Sequence, residues 1–145
     1  MKNGLLTVSC LAAGLFCSGS PFAETTRTAP AEGAEVYFIS PQDGETLTGP
    51  VTVRMGLKGM GVAPAGLEHP NTGHHHLLID TPMDTLALDQ PLAASDQTRH
   101  FGGGQTQTTL ELDPGRHRLQ LLFMDYRHIS FDPPLASKVI HVEVE

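Results

Sequence analysis

In the stretch VTVRMGL, Val51, Val53, Met55 and Leu57 fall on alternate positions. Successive side chains of a β-strand point to opposite faces, so this spacing gives a strand with one buried face. The same period of two recurs along the chain. AEVYFIS places Val36 and Phe38 on one side; TQTTLEL places Thr106, Thr108, Leu110 and Leu112 together. RHRLQLLFMD does the same with Leu119, Leu121 and Phe123, and VIHVEVE with Ile140, Val142 and Val144. Between these runs stand turn formers: Asp43-Gly44, Gly49-Pro50, the Gly/Pro-rich KGMGVAPAGLEHPNTG, and Asp113-Pro114-Gly115. No stretch sustains a helical period with caps at both ends. Short alternating runs at turn-rich spacing predict an all-β fold, an immunoglobulin-like β-sandwich of about seven short strands, as a single domain over residues 35–145. The DPG turn predicts a hairpin between its two flanking runs. YRHISFDPP reads as a loop, because proline cannot donate to a sheet ladder. TPMDTLALDQPLAASDQTR is irregular, with room for one helical turn.

Residues 1–23 have the pattern of a signal peptide. Lys2 precedes the apolar run LLTVSCLAAGLF, and SPFA offers a small residue at Ala23 for cleavage. The run is shorter than the roughly 20 residues a membrane span needs. Phe16 immediately before Cys17 argues against lipoprotein processing. Cleavage near Ala23 predicts an exported, periplasmic protein with no transmembrane anchor, and residues 24–34 read as a flexible leader. Cleavage would also remove both cysteines, Cys10 and Cys17, leaving no disulfide and no thiolate ligand. The remaining chain carries eight basic residues against 16 acidic ones, a net charge of −8 with histidine neutral. That balance excludes a nucleic-acid partner, since no basic stripe exists to displace counterions from phosphates.

All eight histidines lie beyond the cleavage point, and three are consecutive in NTGHHHLLID. On a strand, His74 and His76 share a face at roughly 7 Å spacing, with Leu78 and Asp80 continuing that row. His75 points the other way with Leu77 and Ile79. A His-x-His pair on one face can chelate a single ion; all three rings cannot. His100 precedes FGGG, where glycines permit close backbone approach. The loop MDYRHISFD offers Asp125 and His128. His74, His76, His100, His128 and Asp125 therefore form the candidate metal set, with His75 and Asp80 as supporting residues behind the ligands. Imidazole and carboxylate without thiolate suit copper(II) or zinc. The competing reading is a hydrogen-bonded structural cluster. His117 and His141 read as surface strand residues and His69 as a loop residue.

No nucleophile elbow and no H-E-x-x-H motif occurs, so an enzyme is the weakest of three functional classes. The first is an exported binder of copper or zinc. The second is a non-catalytic immunoglobulin-like interaction module for an exported protein partner, its histidines structural.

Four motifs in order, SPQDGETLTGPVTVRMGLKGMGVAPAG, NTGHHHLLID, HFGGGQTQTTLEL and PGRHRLQLLFMD…HISFDPP, resemble the bacterial family called domain of unknown function 4399. The resemblance covers Val36 to Val144. It implies a small exported all-β protein and no established activity. It also implies a loop of the form D-x-x-H-x-P-H-D-P-P, to which Asp125 and His128 conform. Ser130 and Phe131 stand where that pattern has Pro and His, so position 131 is not an essential ligand.

Overall fold

Alternation with β-branched and aromatic side chains favours a pleated, half-buried backbone, and that is what these segments form. A computed structural model describes residues 26–145. The signal-peptide expectation and both cysteines lie outside the described residues. The strands are β1 (Glu35–Ser40), β2 (Thr46–Leu47), β3 (Val51–Lys58), β4 (Gly61–Val62), β5 (Thr72–Ile79), β6 (Thr98–His100), β7 (Gln107–Leu110), β8 (Gly115–Met124), β9 (Ser130–Ala136) and β10 (Ile140–Val144). Seven of these ten have four or more residues; β2, β4 and β6 are shorter pairings between them. A single 3₁₀ turn, Met83–Thr85, interrupts the long connection from β5 to β6. Among the described residues no helix is long and apolar enough to cross a membrane.

The strands build two sheets, β1-β3-β7 and β2-β10-β8-β5-β4, with β6 added to β5 and β9 to β8. The fold is an all-β sandwich. Val36, Val51, Val53 and Met55 face inward from the first sheet, and Leu77, Ile79, Leu119, Leu121, Phe123, Ile140, Val142 and Val144 from the second. Each contributes roughly 1.5–3 kcal/mol on burial, so the two inner faces hold the sandwich over a stretch with no cysteine.

Two sequence expectations are corrected. The DPG turn does not close a hairpin. β7 pairs antiparallel with β3 in the first sheet, while β8 pairs with β5 and β10 in the second. The turn carries the chain across the sandwich, so Leu110 and Leu119 belong to the same core cluster from opposite layers. The segment expected to be a loop contains β9. Its ends pair with β8, Ser130 with Met124 and Ala136 with Leu122, and the register shifts between them, where Pro133 and Pro134 sit. The prolines are tolerated because an irregularity asks no ladder bond of them.

The second sheet is also buried on part of its outer face. Leu78, Leu122 and Met124 are inaccessible, yet they stand apart from the core between the sheets. The β5–β6 connection lies over them and is bonded to the β8–β9 segment: Leu92 N–H donates to the His128 carbonyl at 3.0 Å, and Ser130 N–H to the Leu88 carbonyl at 3.2 Å. This outer, covered face holds His74 and His76, with His100 and His128 beside them.

Candidate metal centre

The alternation of β5 decides which imidazoles meet. His74 and His76 lie on its outer face, opposite Met124 and Leu122 of β8, and both are fully buried. Their rings lean together, with centroids 4.9 Å apart. β6 runs along the other edge of β5 with His100 directly opposite His76. Gly102 makes that placement possible. A Cβ at Gly102 would overlap Cε1 and Nε2 of the His100 ring.

His128 comes from the turn between β8 and β9. Its backbone adopts φ 66°, a left-handed conformation that histidine tolerates better than most side chains. The turn is held by Asp125. One carboxylate oxygen accepts the N–H groups of Arg127 at 2.8 Å and Ile129 at 2.9 Å. The other accepts Nε and Nη2 of Arg127 at 3.0 and 2.8 Å. His128 N–H in turn donates to the Asp125 carbonyl at 3.0 Å.

Four imidazoles thus share one small volume. The six centroid separations among His74, His76, His100 and His128 run from 4.6 to 6.0 Å. Ring nitrogens of His74, His76 and His100 lie within 4.8 Å of one another. Nε2 of His128 is 3.0 Å from Nε2 of His100. Two nitrogens at 2.0–2.1 Å from one tetrahedral ion stand about 3.3 Å apart, so the spacing suits shared ligation.

Burial favours the neutral form of His74, His76 and His100. Burial pushes the pKa of His74 down to about 4, helped by the charges His128 and His100 would carry. Burial pushes His76 further, to about 2, with His74, His100 and His128 adding to it. His100 is lowered by burial and then by His128. Neutral imidazoles present lone pairs at ordinary pH, with no proton to displace. Among the described residues, both nitrogens of His74 and of His76 lack a hydrogen-bond partner. A buried polar atom left unpaired costs about 1–3 kcal/mol, and such atoms call for an explanation. An ion held between the rings would satisfy one nitrogen on each.

The remaining residues singled out from sequence sit elsewhere. His75 faces the core, edge-on to Phe123 at 5.1 Å between ring centroids, and burial alone lowers its pKa to about 4. Its nitrogens are also unpartnered. Asp80 follows the end of β5, away from the cluster, accepting Arg118 N–H and bonding His117 Nδ1 at 2.7 Å. Despite partial burial, the bonds from His117 to the Asp113 carbonyl and the Asp80 carboxylate hold its pKa above the ordinary value. His141 lies 3.9 Å from the Asp43 carboxylate, and His69 is on an exposed loop. Sequence reasoning missed Arg127, which fills half of the Asp125 carboxylate and so leaves it to shape the turn. The spacing Asp-x-Arg within one tight turn was the available signal.

Among known proteins, a family described as Domain of unknown function (DUF4399) matches residues 53–145. No curated protein and no solved structure matches the chain.

Proposed function

Because the chain belongs to the DUF4399 family, for which no activity is described, we propose from the site itself that it is an exported protein that binds one transition-metal ion, copper or zinc, through His74, His76, His100 and His128. The observation that carries this reading is the convergence of four imidazoles, of which the innermost two, His74 and His76, have nitrogens buried without partners among the described residues. A purely structural histidine cluster leaves those nitrogens unexplained. Copper(II) and zinc both accept imidazole donors. Asp125 serves by framing the turn that carries His128. Export rests on the composition of residues 1–23, where a short positive start leads into an apolar run and a small-residue cleavage point.

Calorimetric titration of the purified protein with zinc and with copper(II) tests it. One ion per chain is expected. Ligand at 100 times its dissociation constant adds about 2.7 kcal/mol, a rise in melting temperature on the order of 10 °C. His76→Asn should abolish most of that rise. Absence of both heat and thermal shift at micromolar metal ends the proposal.

A further inference from the structure

Building on the metal-site reading above, we propose that the centre passes its ion to an acceptor and that His128 is the ligand that steps aside for the incoming donor. The four rings differ in how they are held. His74 and His76 stand in the middle of β5, which pairs with β8 along one edge and with β6 on the other, and neither is exposed. His100 is fixed by its register with His76, by the bare backbone of Gly102 against its ring, and by the Ala65 N–H bond to the Gly102 carbonyl at 2.8 Å. Of the four, His128 alone sits on a turn, half-buried, and among the described residues its ring nitrogens come within hydrogen-bond distance of one group, Nε2 of His100. Its main chain is secured on both sides, by Asp125 and by Leu92. The ring therefore leaves by side-chain rotation, a fast motion for a partly exposed group, without opening the turn.

The inner ligands also lack what a storage site provides. A histidine bound to metal ordinarily donates its second ring N–H to a carboxylate or carbonyl, and losing that partner weakens metal affinity by roughly 10–100-fold. Among the described residues, neither His74 nor His76 has such a partner. The ion is held by geometry more than by buttressed, strongly basic ligands, which favours exchange. The step is a substitution. The bond from the ion to Nε2 of His128 breaks, and one from the ion to a nitrogen donor of the acceptor forms. Neither the oxidation state of the ion nor any proton need change.

The test uses full-length mature protein loaded with one zinc ion and mixed in stopped flow with increasing 4-(2-pyridylazo)resorcinol, a nitrogen-donor chelator. Wild type should transfer at a rate that rises with chelator and then levels off at the rate of ring departure. His128→Gly and His128→Asn, both compatible with the left-handed backbone, should lose the plateau and transfer at least roughly tenfold faster. Their affinity should fall by no more than about 10-fold, against a loss of roughly 100-fold or more in His76→Asn. A transfer rate that ignores chelator concentration in wild type overturns this proposal while tight zinc binding keeps the metal site. So does an affinity loss in the His128 variants equal to that of His76→Asn. Wild type that takes up no zinc overturns both. The wild-type concentration series decides the matter even if neither variant folds.

Discussion

Gly102 acts by what it lacks: the His100 imidazole occupies the space its Cβ would fill. Its φ is not in the left-handed region, so alanine suits the backbone and gains about 0.4–1 kcal/mol from a stiffer unfolded chain. The His100 ring must turn away to admit the methyl group. We expect Gly102→Ala to leave the melting temperature of the metal-free protein nearly unchanged and to weaken zinc binding roughly tenfold or more. Paired thermal melts and calorimetry check this; unchanged affinity would show that His100 does not ligate. At this scale the sequence is readable where one element suffices. That His74 and His76 share a face follows from the period of a strand. That His100 stands opposite His76 does not, because the connection between β5 and β6 that sets their register has no regular pattern.

The β8–β9 turn is a small machine for presenting one ring. The Asp125 carboxylate satisfies two backbone N–H groups and the Arg127 guanidinium at once. Asp125→Ala strands those amides and should cost about 1–3 kcal/mol in urea denaturation. It should also weaken zinc binding, because His128 loses its frame. Asp125→Asn keeps a carbonyl oxygen for the amides and should recover most of the stability. Element identity was largely legible in this chain, since Leu119, Leu121 and Phe123 and then Ile140, Val142 and Val144 occupy the core as their alternation requires. Pairing was not. Alternation says which face is buried, and nothing in TQTTLEL says that its edge belongs to β3 rather than to β8. Pro133 and Pro134 misled for a similar reason: they forbid ladder bonds at two positions, whereas β9 is held by the residues at either end.

For the whole molecule, buried imidazoles make acid a threat. His75 titrates at about 4 in the folded protein and near 6.5 when the chain is unfolded. Above pH 6.5 both states are neutral and stability does not depend on this group. As pH falls below that value the unfolded chain gains a proton the native core refuses, so stability is lost down to about pH 4. At pH 5 the loss from this one residue is at most about 2 kcal/mol. His74 and His76 add to it in the metal-free protein, and a bound ion should oppose it by binding only the folded form. We expect the urea midpoint of metal-free protein to drop between pH 7 and pH 5, and the drop to shrink in His75→Leu. A drop of equal size in that variant would mean that His75 is not the group responsible.

His75 has another effect, arising from its place between two ring-bearing neighbours on β5. Were that strand threaded against β8 one residue out of step, every side chain would trade faces. Two imidazoles would then be drowned in hydrocarbon beside Phe123, and a single one left to meet His100 and His128. Leu77 and Ile79 would leave the core in the same move. The triplet therefore works as a proofreader of its own alignment, since a misthreaded strand forfeits the chelate and the oil-filled interior together.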